Sequence, residues 1–376
     1  MSGVREFRRE DIPDVAKLWL RVFRSSDGAA PAALSDYFED IFFDSPWQNQ
    51  KLSSLVYEDD ASGPVAFLGV MPRKMIFLNQ PITVAVATQL AEDERARSAY
   101  AAVKLVKAYF SGPQDLSYSD GANESSERLW RASGGDVALL YSLNWTRVLK
   151  PAQYARVLLE RRKSWMPFER LLPPASVAVD SLVMRSRLSA YWKPESMPTA
   201  AVEEPSDESL LSCVRQFSAE CSLRPEYDLQ AFRWLLARAA EKRMYGKLRK
   251  RLVRESNGDI AGWYLYYVER GRVSEVLQFG GRPKSISKVL SDLVADAWSQ
   301  GAVAVSGEME PRYVKELGKE RCHFVWTGGV LAQSRNPAVL QAVQLGDAFL
   351  SRLEGEWWAR FSDPDWNSSP EASPQP

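Results

Sequence analysis

Leu55-Val56-Tyr57-Glu58-Asp59-Asp60-Ala61-Ser62-Gly63-Pro64-Val65-Ala66-Phe67-Leu68-Gly69-Val70 is the stretch that decides the fold. Two apolar runs rich in β-formers flank a turn of Asp, Ser, Gly and Pro, which is the composition of a β-hairpin. The plan returns at an offset of 197 residues. Leu252-Val253-Arg254-Glu255 leads through Ser256-Asn257-Gly258-Asp259 into the apolar run Ile260 to Val268. Helix-like stretches precede each hairpin, and a strand, a helix and a strand follow it. Further on, the offset shrinks to 186, where Leu116 and Ala302 open corresponding apolar strands. The chain reads as one structural unit written twice, with the copies diverged.

Outward from the first hairpin, Asp11 and Pro13 start a helix whose apolar face is Val15, Leu18, Trp19, Val22 and Phe23. A second helix is expected over 31–43. After the hairpin come a buried strand (Ile82 to Leu90), a helix (97–110), a strand (Leu116 to Ser119), a helix (Asn123 to Ala132) and further strands (Val137 to Lys150). In the second copy, helices open at Ser206 and Tyr227, and strands are expected at Lys247 to Val253, Ile260 to Val268 and Val273 to Phe279. A helix (Lys284 to Ser299), a strand (Ala302 to Ser306), a short helix (Pro311 to Gly318), one strand from His323 to Leu331 and a helix opened by Asn336 complete it. The expected organisation is therefore a mixed α/β (α+β) fold with two domains, 1–150 and 206–361. Each has a mixed central sheet flanked by helices. A connector, 151–205, joins them, and a Ser/Pro-rich tail, 362–376, is expected to be disordered.

Composition prunes the chemistry. The 376 residues carry 48 basic and 48 acidic side chains, so net charge is zero and there is no strong nucleic-acid signal. The single histidine, His323, has no companion at ligand spacing, which leaves Ser-His-Asp, Cys-His and multi-histidine metal sites unsupported and no metal expected. It reads as a packed or edge-strand residue. Cys213, Cys221 and Cys322 form no CxxC pair, as in a reducing compartment. No run approaches eighteen apolar residues and the N-terminus is charged, so no transmembrane segment or secretory signal is expected, and the location read from these features is cytoplasmic. Two further stretches have double readings. In the connector, Arg156, Arg161, Arg162, Lys163, Trp165 and Phe168 suit either a solvated helix or a basic element lying on a membrane. Lys247, Arg249, Lys250, Arg251 and Arg254 suit either a protected edge strand or an anion site.

The element order, together with two residue blocks, resembles the GNAT acyltransferases, which move an acyl group from acyl-coenzyme A to an amine. The family's central motif, Arg/Gln-x-x-Gly-x-Gly/Ala between a strand and a helix, is met by Arg95-Ala96-Arg97-Ser98-Ala99-Tyr100. Backbone N–H groups at such a helix start cradle a pyrophosphate, and Arg95 and Arg97 add positive charge. Ser98 and Tyr100 stand where the family has small residues, so the rim of the cradle differs. The second block, Asn-x-x-Ala-x-x-Leu-Tyr-x-x-x-Gly-Phe, is met at Asn123, Leu129 and Gly134, with Ser126, Trp130 and Gly135 as departures.

The resemblance implies tandem GNAT-like domains with acetyl-CoA or another acyl-CoA as cosubstrate and a small-molecule amine as acceptor. It implies cofactor contacts from Gln89, Leu90, Ala91, Arg95, Ala96, Arg97, Ser98, Ala99, Tyr100 and Asn123. The backbone at Gln89 to Ala91 would polarise the thioester carbonyl. The tyrosine that protonates the departing thiolate in many members is Trp130 here, so Tyr118, Asp120 and Tyr100 become the catalytic candidates, with Glu92 and Asp93 as alternative bases or simply solvated acids. In the second copy, Phe279-Gly280-Gly281-Arg282-Pro283-Lys284-Ser285 lacks the motif spacing, which assigns cofactor binding to the first copy. Two other classes remain open: a non-catalytic binding protein of the same fold, and aminoacyl transfer from a charged tRNA.

Overall fold

The computed structural model describes residues 2–60, 62–93, 95, 100–161, 172–187, 189–195, 204–326 and 328–361. The chain forms two compact units, and it changes unit four times. It begins in unit 1 with β1 (Gly3–Glu6), α1 (Ile12–Arg24), α2 (Ala32–Phe42), β2 (Leu55–Asp59), β3 (Gly63–Phe77), β4 (Gln80–Glu92), α3 (Ala101–Phe110), β5 (Leu116–Ala122), α4 (Glu124–Ala132) and β6 (Asp136–Val137). Unit 2 then takes β7 (Leu143–Val148), α5 (Pro151–Arg161), α6 (Leu172–Arg185), α7 (Ser189–Trp192) and α8 (Asp207–Ser218). The chain returns to unit 1 for β8 (Leu223–Pro225) and most of α9 (Leu229–Ala240). Unit 2 is completed by β9 (Lys247–Arg254), β10 (Ile260–Val268), β11 (Val273–Gly281), α10 (Ile286–Ser299), β12 (Ala304–Glu308), α11 (Val314–Lys319) and β13 (His323–Trp326). Finally β14 (Gly329–Gln333), α12 (Pro337–Gln344) and the segment to Phe361 rejoin unit 1.

The sheet of unit 1 runs β1-β2-β3-β4-β5-β14-β6, with β8 on the far end of β3; that of unit 2 runs β13-β7-β12-β11-β10-β9. Both are antiparallel except for one central parallel pair, β4/β5 in the first and β11/β12 in the second. Each sheet therefore borrows a strand from the other half of the sequence: β14 lies beside β5, and β7 beside β12. This exchange is why the expected boundaries at 150 and 206 differ from the two units. It also splits the expected single strand from His323 to Leu331, because β13 pairs with β7 and β14 with β5. Helix α9, expected in the second copy, packs mostly in unit 1, where Trp234 meets Trp47 and Trp358. His323 lies exposed on edge strand β13, as one of the two readings had it.

Alternation along β3 divides unit 1 into two layers. Ala66, Leu68 and Val70 join Leu105, Val106, Tyr109 and Trp130 under α3 and α4. The opposite face carries Phe67, which meets Phe7, Phe38 and Phe42 of the α1/α2 layer, and further on Arg73. The β3/β4 hairpin closes through Leu78 and Asn79, both at positive φ (47° and 65°), as a two-residue turn between twisted strands requires. In unit 2, α10 lies on the sheet through Val289, Leu290, Leu293 and Val294. The connector is a helical hairpin of that unit: Asp180 of α6 accepts from the backbone N–H groups of Ala152 and Gln153 at the start of α5. Residues 362–376 lie outside the described residues, as do residues 162–171 with Arg162, Lys163, Trp165 and Phe168.

Candidate active site

Strands β4 and β5 pair over only three positions, Val84/Leu116, Ala85/Ser117 and Val86/Tyr118. Beyond Val86, β4 runs on to Glu92 against β3, while β5 turns its other edge to β14. The two parallel strands part. Just past the parting, β4 carries a bulge: Phe67 pairs with Ala91 and Gly69 with Thr88, so Gln89 and Leu90 together oppose Leu68. Gln89 has φ of 52°, rare for a residue with a side chain and typical of a bulge that re-aims a backbone. Gln89 and Leu90 thereby leave the regular β3/β4 register beside the parting.

A chain of polar side chains lines that opening. The Gln89 amide donates to the Tyr37 hydroxyl of α2. Glu356 is buried and raises the pKa of the Tyr37 hydroxyl further, after burial itself. Ser119 Oγ donates to Glu356 Oε1 at 2.8 Å, and the Glu356 N–H donates to Asp120 Oδ1 at 2.6 Å. Asp120 Oδ2 is shielded from solvent and has no hydrogen-bond partner. Burial first, and the Glu356 charge second, push the Asp120 carboxyl up to about 7, against lowering by the Glu356 N–H, Arg360 and the Trp357 N–H. Phe361 closes this side, meeting Trp19 at 5.5 Å and Tyr37 at 5.4 Å.

The C-terminal segment reaches Asp120 because residue 355 is glycine. A Cβ there would lie 1.9 Å from Asp120 Oδ2 and 2.2 Å from its Cγ. Gly355→Ala is expected to push the segment away, costing roughly 1–3 kcal/mol as overpacking does. A thermal melt of the variant that matches wild type would refute this placement.

The sequence-predicted residues fall into three groups. Gln89, Leu90, Ala91, Tyr118 and Asp120 all lie along the parting of β4 and β5. Tyr118 is buried in β5, at 1% exposure. Arg95, Tyr100 and Asn123 lie elsewhere. The Arg95 guanidinium pairs with Asp27 at 2.9 Å. Tyr100 is 71% exposed and stands at φ 75° before α3, away from the β4/β5 parting. Asn123 caps α4, accepting from Ser126 N–H at 2.9 Å. Ala96, Arg97, Ser98 and Ala99 lie outside the described residues. The two loop acids are engaged: Glu92 accepts from the Ala102 N–H at the start of α3, and Asp93 pairs with Arg21. Trp130 belongs to the core, edge-on to Phe110 at 4.9 Å. Glu356, Tyr37 and Arg360 were not singled out by the sequence reading. Glu354-Gly355-Glu356-Trp357-Trp358 held the signal: two acids beside two tryptophans are drawn into any core that the rings enter.

Unit 2 repeats the parallel pair and the bulge. There β11 and β12 pair at Val273/Ala304 through Val276/Gly307, and β11 carries an extra residue, Leu277, opposite the Leu265/Tyr266 step. Aromatic packing covers the diverging end: Phe279 meets Trp145 at 5.9 Å and Tyr313 at 5.8 Å. The basic stretch of β9 is neutralised. Arg249 makes a two-pronged pair with Asp296 (3.1 Å each), Arg251 lies 3.7 Å from the same carboxylate, and Lys250 pairs with Asp207. The edge-strand reading holds for these residues, since β9 ends the sheet.

No protein-family model matches the chain, and no curated protein matches its sequence. Solved structures do resemble it. A protein from Enterococcus faecalis V583, described as a probable N-acyltransferase, aligns over 92% of this chain and 74% of its own, with a TM-score of 0.56 and 11% identity. A GCN5-related N-acetyltransferase from Anabaena variabilis aligns over 90% and 74%, with a TM-score of 0.55 and 12% identity. The chain shares its fold with these two structures. At these identities the likeness speaks for architecture, and the chemistry has to be argued from this chain's own residues. Among the described residues no group of three or more metal-ligating side chains converges, and no helix is long and apolar enough to cross a membrane.

Proposed function

We propose that the protein is an acyl-coenzyme A-dependent N-acyltransferase whose reaction centre is the parting of β4 and β5 in unit 1. The observation that carries this reading is the coincidence of the Gln89–Leu90 bulge on β4 with the buried Asp120 carboxylate on β5, which accepts from the Glu356 N–H. An acyl thioester laid along the opening would direct its carbonyl oxygen to the bulge amides, which stabilise the charge that develops there. The acceptor ammonium loses a proton to Asp120, whose carboxyl is pushed up to about 7 by burial and the Glu356 charge. The amine then attacks the carbonyl carbon, the C–S bond breaks, and coenzyme A leaves as thiolate to be reprotonated. Alignment of the two reactants supplies much of the remaining rate.

At the diphosphate end, the α3 start is the cradle that the fold offers. Glu92 already occupies one of its N–H groups, so phosphate binding would displace that carboxylate, and Arg95 would exchange Asp27 for phosphate oxygen. Two observations favour a second reading, a binding protein without turnover: the Glu92 cap and the burial of Trp130 at the family's proton-donor position. The ion-paired β9 leaves little support for tRNA as donor.

Isothermal titration with acetyl-, octanoyl- and palmitoyl-CoA separates these readings. Micromolar binding of at least one, weakened by Arg95→Glu and strengthened by Glu92→Gln, is expected. Failure of all three to bind the folded wild-type protein would reject the proposal. Binding with no coenzyme A released in the presence of any amine would favour the non-catalytic reading.

A further inference from the structure

Arg73 lies on the α1/α2 face of β3, 4% exposed. Its guanidinium sits 4.5 Å over the Trp47 ring and 5.9 Å from that of Trp358. Trp234 and Tyr227 extend this aromatic enclosure, each about 6 Å from Trp47 (6.0 and 6.1 Å). Nη1 donates to the Pro72 carbonyl at 2.9 Å, but Nε and Nη2 have no partner. Neither does the buried indole Nε1 of Trp358. Among the described residues, no carboxylate lies within ion-pairing distance of Arg73. The nearby Glu354 is taken by Tyr227 at 2.5 Å and by the Ser351 N–H at 2.8 Å.

Buried donors are almost always satisfied, and a buried unpaired guanidinium is costly. Burial drives its pKa down to about 10, against the pull of Tyr227, Glu354 and Asp120. Nε–H and Nη2–H are the two parallel donors of the side-on fork, whose natural complement is a carboxylate. The opposite need lies close by. Asp120 Oδ2 is a buried acceptor without a donor, and Asp120 is near enough to Arg73 to act on it electrostatically.

We propose that Arg73 binds a carboxylate on the acceptor, so that the acceptor is an amine bearing an acid group, of amino-acid type, with its ammonium at Asp120 and Glu356. This rests on the acyl-transfer reading for the ammonium's role, while carboxylate binding by Arg73 can be measured without it. The aromatic rings about the guanidinium exclude water from the pair and so favour a specific fork over a solvated contact.

The test is titration in the absence of any acyl-CoA, with glycine, β-alanine and 4-aminobutyrate, each set against its decarboxylated counterpart (methylamine, ethylamine, propylamine). At least one amino acid is expected to bind more tightly than its partner amine by roughly tenfold or more, and Arg73→Met to abolish that difference. Arg73→Lys, which keeps charge but loses the fork, should weaken it in part. Removing a buried cation without a partner leaves no orphaned acid, so Arg73→Met is expected to fold. Trp358→Phe, which removes the indole donor and keeps a smaller aromatic ring beside the guanidinium, serves if it does not. Equal binding of acids and amines, no binding of any acid at millimolar concentration, or undiminished binding by Arg73→Met would overturn the proposal. Because no coenzyme A is present, its failure is distinct from failure of acyl-CoA to bind.

Discussion

Asp120→Asn is expected to lower acyl transfer by roughly a hundredfold to ten-thousandfold, the range that a positioned general base supplies. The substitution keeps the shape of the side chain and its place beside the Glu356 N–H while removing the site that takes up the proton. The pH profile distinguishes this from a structural effect. In the wild type, kcat/KM should rise with pH through the Asp120 pKa, near 7, because the amine attacks only when Asp120 can accept its proton. In Asp120→Asn that limb should be lost or displaced. Stability should move the other way. The folded-state pKa of Asp120 lies above its ordinary value near 3.8, so the native state holds a proton that the unfolded chain releases. That contribution is fully present below about pH 4 and is lost as pH rises through 7. Asp120→Asn should therefore flatten the fall in stability between these values and be at least as stable as wild type at pH 8. Undiminished turnover by a folded Asp120→Asn protein would remove Asp120 from the mechanism.

Asp296→Ala is expected to destabilise unit 2 by about 3 kcal/mol, at the lower end of the cost of breaking a buried pair. Asp296 is 2% exposed and serves three groups at once: Arg249 by two hydrogen bonds, the Tyr266 hydroxyl at 2.6 Å and Arg251 at 3.7 Å. Deleting its carboxylate takes the printed acid partner from Arg249 and the Tyr266 phenol and leaves Arg251 beside Asp292. Partial exposure of Arg249 lets water recover some of the loss. Urea unfolding followed by tryptophan fluorescence measures the effect, read as a shift in midpoint at unchanged slope. A loss under about 1 kcal/mol would mean that the cluster is dispensable. Such a cluster also explains why β9 tolerates so many cations: Arg249, Lys250 and Arg251 face acids more than forty residues away in the chain, Asp207 before the hairpin and Asp296 after it.

The local signals in the sequence were strong. The hairpin turns, the Asn123 and Asn336 caps and the helical spacing of α1 and α10 all follow from residue chemistry within a few positions. The strand exchange was not legible, because nothing in Leu143 to Val148 or Gly329 to Gln333 says which of two similar sheet edges will take the strand. The site was half legible for the same reason. Residues that follow one another along β4 and β5 could be read from spacing. Glu356 and Arg73 could not, since they reach Asp120's surroundings through a chain separation of more than two hundred residues in one case and across the sheet in the other. The bulge at Gln89 has no glycine to announce it; only the structure reveals the positive φ.

The central claim is that the acyl thioester lies in unit 1, between β4 and β5. A crystal structure with a non-hydrolysable acyl-CoA thioether tests it directly. The account expects the acyl–sulfur junction beside the Gln89–Leu90 bulge, the diphosphate at the start of α3, and Glu92 displaced from the Ala102 N–H. Ligand bound only at the β11/β12 divergence of unit 2, or nowhere at saturating concentration, would contradict it.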